Sequence, residues 1–455
     1  SAFVGQFGRS VGGMVMAEAA TERRGETTRE RRGDDTTRLV DAKGFSRAVM
    51  VDGEAKVVKK WGDRGRLRTE NRVWRDSGCG NNWAMGYFGE GARMRTPTAT
   101  EENENVLVRR AMEVLRREGE RLDRCEGCMV YHSLAGGTGS GLGSRLLEEI
   151  RDTFSCPLLS VSVLPFSVGE LPLQYYNSTL CLSRIVEEAD ACLLFSNDDI
   201  LSIMSKRLAK KIGSVVRPGD AAGTLVKTED LNMYITTAIL GLIFPTLNSS
   251  SHGQTWNNWS ISKMVAEISA TREAKFVELW STTGSLQTSS KHRSDVQGIS
   301  WTKLSQQLFT EAPRYQPALS STSGEALCRI KTCASRLIFR GNAAMSQASE
   351  ISSSLENELC RSAEQVSWMK GPKSFVYGSP RPIFKHSTKS LTWATTRSSY
   401  LPAFTHILHR CEDMLESRAY LHWYVRYGLR AEDMQEAIEL MRSWLSDSSE
   451  FFEMR

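Results

Sequence analysis

The chain has 455 residues, 58 Lys and Arg against 53 Asp and Glu, and a formal net charge of +5. A balance this mild does not by itself argue for nucleic acid or a membrane surface, and the length suggests about three domains with ample chain to bury a core. The longest apolar run, residues 238–245, falls far short of the roughly 18 residues a membrane helix needs, and residues 1–20 lack the pattern of a secretory leader.

In chain order, Ala2-Phe3-Val4 reads as a short strand running into Gly5-Gln6-Phe7-Gly8-Arg9-Ser10-Val11-Gly12, with a helix carrying Met14, Val15 and Ala19 behind it. Residues 21–38 are charged and rich in Thr and Arg, which reads as a solvated loop. Residues 47–51 form a buried strand ending at Asp52-Gly53-Glu54, carboxylates placed to reach a cation through water. Ser77-Gly78-Cys79-Gly80-Asn81-Asn82-Trp83 is a loop of small residues and amides, rich in donors, and residues 105–125 follow as an amphipathic helix.

The centre of the chain is an apolar strand, 129–134, that runs through Ser133 into Gly136-Gly137-Thr138-Gly139-Ser140-Gly141 and then a helix with Leu146, Leu147 and Ile150. Strand, glycine loop, helix is the order that aims bare backbone N–H groups and a helix N-terminus at phosphate. Thr138 and Ser140 add hydroxyl donors. No Lys follows Gly141 and the G-x-G-x-x-G spacing is absent, so the loop is neither of the Walker nor of the dinucleotide kind. Further strands read at 158–164 and 191–195, the second ending at Asn197, where a helix N-cap is one role for that amide.

A largely apolar helix opens at Glu229, contains Asn232 and runs to Phe244. Residues 246–259 read as an exposed loop, and no carboxylate occurs between Asp230 and Glu267. Residues 275–279 read as a strand, 281–298 as a polar loop, and 334–339 as another strand. From Ser399 apolar residues recur at helical spacing in two or more helices joined at Tyr427-Gly428-Leu429, a hairpin. The ten cysteines fit buried free thiols in a reducing compartment; Cys125-Glu126-Gly127-Cys128 has metal-like spacing without a second pair to complete a site.

The glycine loop at Gly136, the G-Q-x-G-x-x-x-G pattern from Gly5 and the Gly80-Asn81-Asn82-Trp83 run together resemble the tubulin and FtsZ family. The resemblance implies an α/β fold: a Rossmann-like parallel-sheet GTP-binding domain with the central helix (1–244), a smaller α/β sandwich domain (245–375) and a C-terminal helical hairpin (376–455). It implies GTP with Mg²⁺ as cofactors. Gln6, Gly80, Asn81, Ser133, Gly136, Gly137, Thr138, Gly139, Ser140 and Gly141 would then meet phosphates, Glu170 the ribose, Asn197 and Asn232 the guanine, and Glu54 would orient the metal.

Phe7, Ser10 and Thr228 depart from the family's base-framing residues, and the loop after Pro245 lacks the acid that activates a neighbour's GTP, so weak or no self-activated hydrolysis is expected. Gly169-Glu170, the Tyr-Asn-Ser core at Tyr176 and the Ala419–Tyr424 run are similar to delta-tubulin. That resemblance implies other tubulins as longitudinal partners, no nucleic acid or membrane partner, and a place in the cytoskeleton at centrioles or basal bodies, in triplet microtubules.

Overall fold

The computed structural model describes residues 1–24, 39–41, 43–53, 55–64, 66–89, 105–167, 171–212, 226–250, 253–257, 259–269, 271–285, 299–317, 327–341, 346–368, 373–384 and 387–453. They divide into two compact units, one of the described residues within 1–24, 39–233 and 403–447, the other of those within 234–402 and 448–453.

The first unit is built on six parallel strands: β1 (Ala2–Val4), β2 (Val49–Asp52), β3 (Arg72–Trp74), β4 (Cys128–Ser133), β5 (Leu158–Leu164) and β6 (Ala191–Ser196). Their order is β3-β2-β1-β4-β5-β6, all pairs parallel. Every residue of β5 is buried, which is why the strand reads as a nearly unbroken apolar run: helices cover both faces of such a sheet. Those helices are α1 (Gly5–Arg24), α2 (Ala55–Arg64), α3 (Trp83–Phe88), α4 (Val106–Glu120), α5 (Gly143–Thr153), α6 (Gln174–Glu188) and α7 (Asn197–Ile212).

Helix α1 forms although it carries four glycines among its first nine residues, because glycines let it lie directly on the sheet. A Cβ at Gly8 would overlap the Tyr131 carbonyl, and one at Gly12 the Phe3 ring, which itself meets Tyr131 edge-on at 5.1 Å. The helix also extends to Arg24, over the start of the segment expected to be a loop; the rest of that segment lies outside the described residues. Helices Leu401–Glu416 and Ala431–Glu453 pair within this unit through Phe404 against Trp444 and Arg442 to Glu412, with a short helix Leu421–Val425 between them.

The second unit begins inside α8 (Thr228–Ile243). Its sheet runs β9 (Phe276–Ser285), β15 (Ser387–Arg397), β12 (Lys331–Gly341), β14 (Lys373–Ser379), β7 (Thr246–Ser250) and β8 (Gly253–Asn257), antiparallel except for β12 with β14. Strand β13 (Glu364–Gln365) lies parallel to the start of β12, and β10 (Tyr315–Pro317) with β11 (Leu327–Arg329) forms a separate ribbon. Two expectations are corrected here. Residues 246–250 and 253–257 are paired antiparallel strands rather than a loop. Strand β9 continues to Ser285, past the expected loop start, because Ser281 and Thr282 are buried beside β15.

Arg336 and Arg340 of β12 are both almost fully buried. Arg340 donates to the carbonyls of Gly241, Phe244 and Pro245, closing the C-terminal end of α8, and Arg336 pairs with Glu267 at 2.5 Å. Glu267, the first acid after Asp230, is therefore taken up inside the unit, its other oxygen accepting from the Tyr377 hydroxyl at 2.5 Å.

Candidate functional site

The strand order reverses at β1. The chain steps from β1 to β2 on one side and returns to β4 on the other, with Ala2 opposite both Val49 and Val130. Loops leaving the C-terminal ends of strands at such a switch point enclose a crevice. Here those segments are the start of α1, which follows β1 directly at Gly5 where a glycine loop was expected, and the loop that begins at Leu134.

They touch. Gly5 sits at φ +68°, and a Cβ there would stand 3.0 Å from the Gly139 nitrogen. A left-handed conformation with no room for a side chain is why glycine occupies the position. Gln6 follows, exposed in the first turn of α1.

The glycine segment is itself wound, Gly137–Leu142 making a single wide, π-type turn that passes straight into α5. Ser140 points inward, its amide and hydroxyl both donating to the Gly136 carbonyl at 2.8 and 2.5 Å. It therefore acts on the loop's own backbone, while Thr138 is half-buried at the rim. A Cβ at Gly139 would overlap Ser133 Oγ, which places Ser133 beneath the turn.

The turn is pressed against α3. A Cβ at Gly137 would lie 2.6 Å from both the Asn82 nitrogen and the Cys79 carbonyl oxygen; one at Gly141 would overlap the Trp83 carbonyl, and one at Gly86 the Gly137 carbonyl. Gly80 and Asn81, both exposed, sit at φ +52° and +53°; Gly and Asn are the residues that tolerate this region best. Asn82 then caps α3 through Met85 N (3.3 Å) and donates to the Trp423 carbonyl (3.0 Å).

One residue ties these pieces together; in the sequence it is noted only within the Tyr-Asn-Ser core, with no role at the site. Asn177 of α6, fully buried, donates to the carbonyls of Asn81 (2.8 Å) and Ala135 (2.6 Å) and accepts from Trp83 N (2.9 Å) and the Tyr424 hydroxyl (2.7 Å). All four hydrogen-bonding positions of an amide side chain are thereby used. The available signal was a polar run, Asn177-Ser178-Thr179, inside a helix whose neighbours are apolar; all three are buried.

Behind the turn lies a second polar cluster. His132 of β4 is fully buried, with Nε2 2.9 Å from Ser160 Oγ and Nδ1 3.7 Å from Cys181 Sγ. Burial pulls its pKa down to about 4, so the ring is neutral at ordinary pH. Tyr87 of α3 donates to Glu148 of α5, and burial first, then that hydrogen bond, pushes its pKa up to about 12. These groups hold α3 and α5 against the loop.

At the far side of the sheet edge, Asn197 opens α7 after β6, half-buried. The helix cap is Ser196, whose hydroxyl accepts from Asp199 N at 3.2 Å, so Asn197 does not serve in that role. Asp198 accepts from Ser167 N at 2.7 Å, joining the loops after β5 and β6. Asn232 lies half-buried in the second turn of α8. Glu54 and Glu170 lie outside the described residues. Asp52 is buried at the end of β2.

Thus Gln6, Gly80, Asn81, Ser133 and Gly136 to Gly141 are gathered around one bare-backbone turn. A ligand with phosphates fits such a cradle, because Gly136 faces outward with nothing nearer to a Cβ position than Ser133 Oγ at 3.8 Å. Among the described residues, no group of three or more His, Cys, Asp or Glu has the geometry to hold a metal ion unaided, and no helix is long and apolar enough to cross a membrane.

Residues 2–205 match the Tubulin/FtsZ family, GTPase domain. The chain is 27% identical over 412 residues, 90% of its length and 82% of the relative's, to the tubulin beta-2 chain of Emericella nidulans. It is 27% identical over 418 residues (91% and 83%) to the tubulin beta chain of Aspergillus fumigatus and 28% identical over 396 residues (86% and 77%) to the tubulin beta-2 chain of Geotrichum candidum. The switch-point crevice and its glycine turn both lie within the residues that match the Tubulin/FtsZ family, GTPase domain, and it is to that family that the chain is similar.

Proposed function

We propose that the protein is a cytoskeletal, GTP-binding tubulin of the delta type that activates hydrolysis weakly or not at all. The observation that carries the reading is the glycine turn at the switch point, whose outward face is bare backbone. In this reading the amides of Gly136, Gly137, Thr138, Gly139 and Gly141 and the Thr138 hydroxyl take the phosphates, with Ser140 bracing the turn through the Gly136 carbonyl and Gln6, Gly80, Asn81 and Ser133 around them. Glu170 takes the ribose, and Asn197 and Asn232 take the guanine edge, an amide offering both donor and acceptor.

Mg²⁺ neutralises phosphate charge when bound. Such a site needs only one or two protein carboxylates beside the phosphates, and the Asp52-Gly53-Glu54 end of β2 supplies them. Weak hydrolysis follows from the segment after α8. Residues 231–266 contain no acid, and Glu267 is committed to Arg336 and Tyr377. A positioned base is worth about 10²–10⁴-fold, and this segment has none to offer a neighbouring subunit.

The delta assignment, the longitudinal pairing with other tubulins and the work at centrioles or basal bodies rest on the resemblance of Gly169-Glu170, Tyr176-Asn177-Ser178 and residues 419–429. The named relatives being tubulin beta chains supports a tubulin partner in general.

The test is chromatography of nucleotide released on denaturation, from the wild-type chain and from Gly136→Asp. The substituted position is open, so the fold should tolerate the change. A carboxylate about 5 Å from a phosphate, at an effective dielectric of about 20, costs about 3 kcal/mol per charge pair, on the order of 100-fold in affinity. Stoichiometric guanine nucleotide from the wild type and little from the variant is expected. Equal occupancy in both, or none in the wild type, overturns the proposal.

A further inference from the structure

Three thiols gather at the end of the parallel sheet opposite the glycine turn. Strand β4 starts at Cys128 and β5 two residues after Cys156. The register places Cys128 beside Leu158, and the Cys128 amide donates to the Pro157 carbonyl at 2.8 Å, so the two strand entries are held side by side. Cys125 lies three residues before the first residue of β4 and Cys156 two before the first residue of β5, so both thiols belong to these paired strand entries. Cys125 is exposed, Cys128 half-buried and Cys156 buried, and all three are free thiols.

We propose that Cys125 and Cys156 form an oxidisable dithiol, with Cys125 the site attacked by a hydroperoxide and Cys156 the thiol that resolves it into an intramolecular disulfide. The exposed member meets the oxidant and the buried member waits behind it, the division of labour that selective thiol oxidation requires.

The electrostatics run the same way. The neighbouring Cys156 thiol, the largest influence, pulls the Cys125 thiol down to about 6. Cys156 is held well above the usual thiol range by Cys125 and then by burial. At neutral pH the exposed sulfur is therefore mostly thiolate.

The chemistry balances with hydrogen peroxide as oxidant. The Cys125 thiolate attacks one peroxide oxygen, the O–O bond breaks, and hydroxide leaves to be protonated by solvent, giving a sulfenic acid. The Cys156 sulfur then attacks the Cys125 sulfur, the S–O bond breaks, and the departing hydroxide takes the Cys156 proton as water. Two thiols lose two electrons and the peroxide becomes two waters. The ring so closed contains β4, the whole glycine turn and α5.

The reduced full-length chain is treated with stoichiometric hydrogen peroxide at pH 7, capped with N-ethylmaleimide and digested with trypsin without reduction. Mass spectrometry should find the peptide from Cys125 to Arg145 joined through Cys156 to the peptide from Asp152 to Arg184. Dimedone should label Cys125 at least tenfold more in Cys156→Ser than in the wild type, because the sulfenic acid is no longer resolved. Alkylation of Cys125 by iodoacetamide should have a midpoint near pH 6 that rises in Cys156→Ala. A Cys125–Cys128 crosslink as the main product, or Cys156 fully capped while Cys125 is oxidised, overturns the proposal. Both outcomes are read on the wild-type chain, whatever the folding of the variants.

Discussion

The tight seat of Gly137 makes a quantitative test of the loop. A methyl group there would meet Asn82 N and Cys79 O at 2.6 Å, about 0.8 Å short of the 3.4 Å at which ordinary van der Waals contact begins. Both obstacles are main-chain atoms, so no rotamer change relieves them; α3 and the turn must part. Overpacking of this kind costs about 1–3 kcal/mol, and in a unit of this size each kcal/mol moves the melting temperature by about 2–4 °C. Gly137→Ala should therefore melt roughly 2–12 °C below wild type with nucleotide removed. Gly136→Ala is the control, since its backbone (φ −85°, ψ 157°) suits any residue and its surroundings are open. It should melt at or slightly above wild type, gaining about 0.4–1 kcal/mol through the unfolded chain, yet hold less guanine nucleotide. Scanning calorimetry of nucleotide-stripped protein decides the matter. If Gly137→Ala melts with the wild type, or if both variants fall together, the close approach of the turn to α3 is wrong.

Three further outcomes are expected. Asn177→Asp keeps the acceptor atoms for Trp83 N and the Tyr424 hydroxyl but loses both donors, leaving the Asn81 and Ala135 carbonyls facing a carboxylate; a loss of roughly 2–4 kcal/mol in urea unfolding is expected, and a loss under 1 kcal/mol would deny it the bracing role. For His132, the folded-state pKa of about 4 lies below the ordinary 6.5, so between those values the unfolded chain binds a proton that the folded chain does not. Stability should fall as pH drops from 6.5 toward 4, by up to about 1.4 kcal/mol per unit from this residue; a denaturant series against pH should show a flatter slope for His132→Gln, and equal slopes would refute it. Arg336→Met should cost about 3–5 kcal/mol by stranding the buried Glu267, while the double variant with Glu267→Gln should recover much of that; a double variant no better than the single would show that the charge pair is not the cause.

The first unit was readable because its residues obey simple patterns. Strand β5 emerged at its observed limits, 158–164, since a strand buried on both faces is apolar throughout. The glycine turn was readable because phosphate cradles need bare backbone. What stayed hidden was either polar inside or settled by distant contacts. Strand β15 carries Ser390, Thr392, Thr395 and Thr396, all buried, and its hydroxyl-rich sequence mimics a loop; Thr395 and Thr396 donate to main-chain carbonyls of Ala334 and Ile268. The paired strands at 246–250 and 253–257 have no apolar alternation to announce them. Asn177 looks like any helix amide until residues 81, 83, 135 and 424 are seen around it. The cap of α7 fell one residue earlier than expected because Ser196 fills that role and leaves Asn197 as the first residue of the helix.

The main-chain crowding around the glycine turn also limits how this protein can change over generations. A cramped side chain can be accommodated by trimming its neighbour, but at Gly137 the neighbour is peptide backbone, which every amino acid shares, so no second substitution opens a path. Inherited variation in this stretch is thereby channelled to Gly136 and Thr138 at the rim, and a lineage that abandoned its ligand would be expected to lose glycine there first while the crowded positions stayed fixed.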